Sequence, residues 1–117
     1  ELPMTKCWWI IALGLINIVS TGLSVVAFKQ AGAALEPRVF LWQQILGNFW
    51  GFVSVIAFTF LTRYLTLNVA YPVTVGLAVL LVQLVFARVY FGEVATPTQI
   101  TGALLIAAGI VLVARRS

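Results

Sequence analysis

Four side chains that can form hydrogen bonds interrupt an otherwise apolar segment near the start of the chain. They lie at positions i, i+3, i+4 and i+7 and are Asn17, Ser20, Thr21 and Ser24. This spacing places all four on one stripe of an α-helix. Two interpretations stay open: the stripe bonds to a neighbouring helix or to its own backbone, or it lines a polar pathway.

Further polar side chains recur in the next two apolar segments. In the second segment, Asn48 lies on a helical face that also carries glycines. An uncharged amide in lipid needs a hydrogen-bonding partner, so this face is predicted to point inward. In the third segment the candidates are Tyr71, Thr74 and Gln83. These side chains supply donors and acceptors to a predicted polar, uncharged chamber.

The sequence offers little for enzymatic catalysis. It contains no histidine, and its single cysteine, Cys7, is predicted at the membrane interface without a base beside it. The three carboxylates, Glu1, Glu36 and Glu93, fall in predicted termini or loops. The sequence also lacks a metal-ligand cluster and a basic stripe typical of nucleic-acid binding. We therefore expect no enzyme activity, no cofactor, no metal and no nucleic-acid partner.

The composition indicates an integral membrane protein. Of the 117 residues, 62% are hydrophobic and 9% are charged, whereas about a quarter are charged in a typical soluble domain. A membrane-spanning helix needs ~20 apolar residues, so the chain has room for four helices and short loops. We predict one all-α domain over residues 1–117, a compact antiparallel bundle with helices at about 5–31, 38–64, 69–91 and 97–115.

The fourth predicted helix has the clearest start and a face of small residues. Thr96 and Gln99 have the spacing of a capping box, and Pro97 lies at the first helical position. Small residues then recur near one face: Gly102, Ala103, Ala107 and Gly109. Such residues allow two helices to approach closely in lipid. We expect this face to contact another helix, within the chain or, as the favoured alternative, in a second chain.

The basic residues are predicted near helix ends, as interfacial anchors. On the side of the termini they are Lys6, Arg63, Arg115 and Arg116, and on the other side they are Lys29, Arg38 and Arg88. The bias of four to three favours cytoplasmic termini under the positive-inside rule and leaves insertion in both orientations open. Glu1 is not an initiator methionine, which is compatible with a missing or removed upstream segment. The first apolar run exceeds the ~7 to 15 residues of a signal-peptide core, so we interpret it as a retained helix.

Three short motifs carry a resemblance to a known family. They are Ala70-Tyr71-Pro72, Phe91-Gly92-Glu93, and the pair Gly102 and Gly109. With the order of four short helices, they resemble the drug/metabolite transporter superfamily over nearly the whole chain. The length is similar to that of the small multidrug resistance proteins, and the first two motifs resemble EamA-type transporters.

The resemblance implies roles for particular residues. In small multidrug resistance proteins, two fourth-helix glycines form the dimer contact, which implies dimerisation through Gly102 and Gly109. A third-helix tyrosine lines the substrate chamber, which implies the same role for Tyr71. The third helix of that family bends at a glycine pair, which is matched here by Gly76 with Ala78 in the second place. The resemblance therefore implies a smaller bend.

Two departures from the family pattern bear on the substrate. Small multidrug exporters use a membrane-embedded glutamate in the first helix. Counting back from Lys29, which resembles the family's lysine, that position falls at about Ser20 or Thr21, and neither is an acid. Thr74 replaces the family's tryptophan and removes a surface for cation–π contact. Proton-coupled export of quaternary cations is therefore disfavoured.

The function predicted from these features is that of a transporter or flippase for a small polar substrate, neutral or anionic. The chain resembles the paired four-helix flippase subunits for undecaprenyl-phosphate aminoarabinose, which also lack the acid and have Ala-Tyr-Pro at this place. A dimer of identical or paired chains would alternate access, with membrane lipid around it, in a bacterial cytoplasmic (inner) membrane. The candidate substrate-binding residues are Asn17, Thr21, Ser24, Lys29, Asn48, Tyr71, Thr74, Gln83 and Arg88.

Two other functions stay open. The first is a small multidrug or metabolite exporter with another form of energy coupling. The second is a non-transporting accessory subunit that packs against a larger membrane complex. In that case, the polar stripes would serve as contacts between helices.

Overall fold

The described part of the chain, residues 4–115 of a computed structural model, is helical and contains no strand. The elements are α1 (Met4–Ala33), α2 (Pro37–Leu61), α3 (Leu67–Leu81), a π-helical segment (Val82–Tyr90) and α4 (Pro97–Arg115). With the π-helical segment counted as the continuation of α3, four helices are long and apolar enough to cross a membrane. The prediction of an all-helical chain with four such helices is confirmed. Glu1 and Arg116, which the sequence analysis assigned to a terminus and an interface, lie outside the described residues.

The starts of α2 and α4 show how local sequence sets the helix bounds. Pro37 opens α2 directly after Glu36, whose backbone is extended, and a proline at this position loses no helical hydrogen bond. At α4, the backbone N–H of Thr96 donates to Gln99 Oε1 at 2.9 Å. The N–H of Gln99 donates back to Thr96 Oγ1 at 3.2 Å. This reciprocal pair is the capping box that the spacing predicts.

Small side chains fill the core between the helices. The most extensive contact joins α1 and α2, and α3 packs against both α1 and α4. Apart from Leu61, the buried apolar residues are all alanines: Ala27, Ala31, Ala57, Ala70, Ala78 and Ala103. In lipid, helices associate through close packing rather than through hydrophobic exclusion, and small residues permit the closest approach. The core therefore consists of crossings between helices rather than of large apolar side chains.

Three glycines lie where a neighbouring side chain presses directly on a helix backbone. A Cβ at Gly22 of α1 would lie 2.5 Å from the Phe86 ring of the π-helical segment. A Cβ at Gly47 of α2 would lie 2.5 Å from the Phe28 ring of α1. At Gly76 of α3, the Ile110 side chain of α4 would lie 2.8 Å away. Each contact between helices thus depends on the absence of a side chain at one position.

The third spanning helix changes from α to π geometry at Val82. Near its end, the backbone N–H of Phe91 donates to the carbonyl of Phe86, five residues earlier, at 3.1 Å. Gly92 then turns the chain with a φ of 69°, which favours glycine. π-Helical stretches are rare in proteins, and those that do occur are often at functional sites. Gly76 lies in the α-helical part of this helix, before the π-helical segment. The bend predicted at Gly76 would therefore be a bend within an α-helix.

The described chain is thin in one dimension. Its principal extents are 53 × 34 × 19 Å, and one helix with its side chains is about 10–12 Å across. The chain is therefore about two helices deep in its thinnest direction. In a chain of this depth, a cleft between helices is open wherever no further helix covers it.

Candidate functional site: a cleft between α1, α2 and α3

A cleft of about 470 Å³ lies between α1, α2 and α3. Its wall is mostly apolar, and its polar lining side chains are Asn17, Thr21, Ser54, Tyr71, Thr74 and Gln83. A mostly apolar cleft with a few convergent polar groups is the usual form of a small-molecule site. The structure thus brings together five of the residues predicted for substrate binding. It adds Ser54, which lies on one helical face with Gly47 and Gly51 and could have been found by that spacing.

Asn17 serves both as a contact between helices and as part of the cleft wall. Its side chain is 8% exposed, and its Nδ2 donates to the backbone carbonyl of Ser54 at 2.8 Å. Within the described residues, the Asn17 Oδ1 accepts no hydrogen bond. The amide is therefore held in place by its donor side while its acceptor oxygen stays available to a bound molecule.

Ser24 has only the first of these roles. Its hydroxyl donates to the backbone carbonyl of Gly47 at 2.8 Å in buried surroundings, and its side chain does not line the cleft. Of the two interpretations of the polar stripe on α1, the contact between helices describes Ser24. Asn17 and Thr21 also fit the second interpretation, since both line the cleft.

The α3 wall of the cleft combines a satisfied hydroxyl with an exposed phenol. The Thr74 hydroxyl donates to the backbone carbonyl of Ala70 at 2.8 Å, within its own helix. Tyr71 is 58% exposed, and its ring meets that of Phe58 edge to face at a centroid distance of 6.0 Å. Gln83, in the π-helical segment, donates from Nε2 to the carbonyl of Gln99 at 3.4 Å. Tyr71 is thus the most accessible polar group of this wall.

Asn48 lies away from the cleft. Its side chain is exposed, and its Nδ2 donates to the carbonyl of Gln44, one turn earlier in the same helix, at 2.8 Å. The prediction that this amide points inward assumed that it needs a partner on another helix. A backbone carbonyl of its own helix supplies that partner instead.

Lys29 and Arg88 also lie outside the cleft lining. The Lys29 Nζ lies 3.3 Å from Glu93 Oε2 and 5.8 Å from the centroid of the Phe91 ring. Beside it, Gln30 Nε2 donates to the Tyr90 hydroxyl at 2.9 Å. The end of α1 therefore contacts Tyr90, Phe91 and Glu93, at the end of the π-helical segment and just after it. Arg88 is exposed.

The residues predicted for a dimer contact divide between two faces of α4. Ala103 is 5% exposed and belongs to the core of the single chain. A Cβ at Gly102 or Gly109 would meet no atom within 4 Å, and Leu105, on the same face, is exposed. Ala107 is partly buried. Gly102 and Gly109 therefore lie on a face of α4 that the described chain leaves uncovered.

No protein-family model, curated protein or solved structure matches the chain. Among residues 4–115, no group of three or more histidine, cysteine, aspartate or glutamate side chains could hold a metal ion. The features of the described residues that bear on function are therefore the cleft and the four helices long and apolar enough to cross a membrane.

Proposed function

We propose that the chain is a membrane transporter or flippase that binds a small polar group in the cleft between α1, α2 and α3. The observation that carries this proposal is that side chains from three spanning helices, Asn17, Ser54 and Tyr71 among them, meet in one open cleft. Polar groups within a bilayer are costly unless they bond to each other or line a cavity that a substrate uses. The free acceptor of Asn17 and the exposed Tyr71 fit the second case.

The chemistry of the lining favours a neutral or anionic substrate. None of the side chains that line the cleft is a carboxylate, so a bound cation would meet no opposite charge there. Hydroxyl and amide groups can bond to sugar hydroxyls or to a phosphate. Lys29 and Arg88 would supply positive charge beyond the cleft, with Lys29 available once its pairing with Glu93 opens. A lipid-linked sugar is one member of this substrate class.

The proposed transporter is a dimer. We propose that the four helices cross the membrane in alternating directions, as the short connections at residues 34–36 and 62–66 favour, and that α4 contacts α4 of a second, identical or paired chain. The uncovered face at Gly102 and Gly109 supports this contact. A second copy would cover the open side of a thin layer, and rocking of one half against the other would alternate access to the cleft. We place this dimer in a bacterial cytoplasmic membrane.

Transport is tested in proteoliposomes with a panel of fluorescent lipid-linked sugars, neutral and anionic. We expect flipping above that of empty vesicles for at least one member of the panel. Gln83→Leu and Tyr71→Phe, which remove polar atoms from the cleft, should slow flipping, whereas Asn48→Leu, outside the cleft, should leave the rate unchanged. A folded protein that transports no member of the panel would contradict the proposal.

A small multidrug or metabolite exporter is the second candidate. The observation that favours it is the edge-to-face pair of Phe58 and Tyr71 on the cleft wall, because aromatic faces can bind small cations. Thermal stabilisation by small cations or amines, abolished in Tyr71→Leu, would support this function. Stabilisation by sugar phosphates alone would support the first proposal instead.

A third candidate function is that of a non-transporting accessory subunit. The observation that favours it is the uncovered face of α4, which a larger membrane complex could occupy. This function predicts stoichiometric co-purification with an unrelated membrane protein. It also predicts that substitutions at Gly102 and Gly109 abolish the co-purification. A particle that contains only copies of this chain would exclude it.

A further inference from the structure

A second cleft, of about 280 Å³, is lined by α1, the end of α2 and the start of α3. The α1 side consists of Ile10, Gly14 and Ile18 with their neighbours, and Leu61 of α2 and Leu65 of the connection to α3 close the other side. Thr74 is the one lining residue with a polar side chain. Its hydroxyl already donates to a backbone carbonyl of its own helix. This cleft therefore offers a bound molecule almost only hydrocarbon surface.

Water is a poor occupant of this cleft. Each molecule takes about 30 Å³ in the liquid and needs two to four polar partners, and apolar cavities without such partners stay dry. A Cβ at Gly14 would meet no atom within 4 Å, so the space beside α1 is open. Because the cleft lies between helices of membrane-spanning length, the chains of surrounding lipids are the hydrocarbon that can reach it.

Two basic residues lie near the outer end of the cleft along the chain. Lys6, Ile10, Gly14 and Ile18 follow one another at intervals of four residues and so form a stripe that winds around α1 by about 40° at each step. Lys6 lies on this stripe one turn beyond the cleft, and it is exposed. Arg63 is also exposed, and it lies between Leu61 and Leu65 in the sequence. Neither side chain forms an ion pair within the described residues.

The length of this stripe matches one leaflet of a bilayer. Twelve residues separate Lys6 from Ile18, which corresponds to about 18 Å along an α-helix. Half of a hydrocarbon core of ~30 Å is about 15 Å. A phosphate placed beside Lys6 at the interface would therefore let an attached acyl chain follow Ile10 and Gly14 to about the middle of the membrane.

We propose that the second cleft binds one acyl chain of an anionic phospholipid, with the lipid phosphate held by Lys6 and Arg63. Hydrocarbon fills the apolar wall. Lys6, and Arg63 once its guanidinium leaves the Phe60 ring over which it lies at 5.0 Å, supply the charge that selects an anionic headgroup. This lipid is a resident partner of the protein rather than its substrate. The proposal goes beyond transport and applies whichever of the proposed functions is correct.

The test is native mass spectrometry of the full chain, released from nanodiscs of equimolar dioleoyl phosphatidylglycerol and dioleoyl phosphatidylcholine. The two lipids share the same acyl chains, so a difference in retention reports on the headgroup. We expect the wild type to retain phosphatidylglycerol, about one molecule per chain. Lys6→Gln should reduce its preference over phosphatidylcholine about fivefold, the effect of one basic contact with an anionic headgroup. Arg38→Gln, at the start of α2 and away from the cleft, should leave the preference unchanged.

Gly14→Phe tests the site of the acyl chain. The phenyl ring enters the open space of the cleft, so retention of the lipid should be lost. Gly32→Phe is the matched control, because Gly32 also lies in open space but lines neither cleft. Full retention in a helical, monodisperse Gly14→Phe protein would overturn the proposal. If Gly14→Phe does not fold, the double variant Lys6→Gln with Arg63→Gln provides the test. A preference for phosphatidylglycerol that survives in this double variant would also overturn the proposal.

Discussion

At the scale of single residues, the Asn17 side chain has two roles. The Asn17 amide donates across the contact between α1 and α2 at 2.8 Å, and the same side chain lines the cleft. Hydrogen bonds between helices in membranes average only about 0.6 kcal/mol, because the unfolded helices in lipid also find partners. Asn17 is therefore a modest stabiliser, and in the proposed function its fixed orientation matters more for a bound substrate.

Substitution of Asn17 should separate these contributions. Asn17→Leu keeps a similar volume and removes the bond to Ser54, so we expect the free energy of unfolding to fall by ~0.5 to 1.5 kcal/mol. Asn48→Leu removes an amide that bonds within its own exposed turn, and a change below about 0.5 kcal/mol is expected. Both values are measured by denaturation in mixed micelles, followed by circular dichroism. Equal losses in the two variants would show that the bond from α1 to α2 adds nothing.

The contrast between Asn17 and Asn48 also shows how far the sequence predicts the site. Periodicity states which residues share a helical face, and it placed Asn17 with Thr21, both of which line the cleft. It does not state in which direction a face points, because that depends on the neighbouring helix. Asn48 is exposed although Gly47 beside it is buried, and Ser54, about one and two-thirds turns after Asn48, reaches the cleft.

At the scale of the helices, the contact between α1 and the π-helical segment is sensitive to side-chain volume. The Phe86 ring occupies the space that a Cβ at Gly22 would need. The sequence of this segment, Val82–Tyr90, contains neither glycine nor proline, the residues that usually account for an irregular helix. The helix starts at Pro37 and Pro97 could be predicted from local sequence. The π geometry could not, since local residue types do not signal it.

Two glycines of α1 should respond in opposite directions to the same substitution. Gly14→Ala meets open space, so its gain in helix propensity, up to about 1 kcal/mol, should stabilise the protein. Gly22→Ala gains the same propensity but forces the Phe86 ring to move, and overpacking costs ~1 to 3 kcal/mol. We expect the Gly22 variant to be the less stable of the two in the same denaturation assay. Addition of Phe86→Leu should recover part of the difference, and stability of Gly22→Ala equal to that of Gly14→Ala would contradict the observed packing.

The capping box at the start of α4 allows a second test at this scale. Thr96→Ala removes the acceptor for the Gln99 N–H, and loss of such a cap costs about 1 kcal/mol. Thr101→Ala is the matched control, because its hydroxyl donates only to the Pro97 carbonyl of its own helix. Hydrogen exchange of the first turn of α4 should rise in Thr96→Ala and stay unchanged in Thr101→Ala. Unchanged exchange in both variants would mean that Pro97 alone fixes the start of the helix.

At the scale of the whole molecule, the thin chain and its uncovered α4 face belong together. The smallest extent is 19 Å, and the cleft proposed to bind substrate is lined by the first three spanning helices and by no residue of α4. A carrier must close its site from each side of the membrane in turn, and we propose that one chain about two helices deep offers no second half to move against. A second copy supplies that half. The proposed transport therefore depends on the proposed dimer.

The dimer contact is tested by filling the uncovered face of α4. Isoleucine at both glycines, Gly102→Ile with Gly109→Ile, adds β-branched side chains where the backbones of two helices would meet, so the dimer should dissociate. Val111→Ile is the control, since Val111 is exposed on α4 on the opposite side of the helix from Gly102 and Gly109. Light scattering in detergent and native mass spectrometry measure the oligomeric state. A dissociated double variant that no longer transports, beside a Val111→Ile dimer that does transport, would link the proposed dimer to the proposed transport. A monomer that transports at the wild-type rate would show that one chain closes the cleft alone.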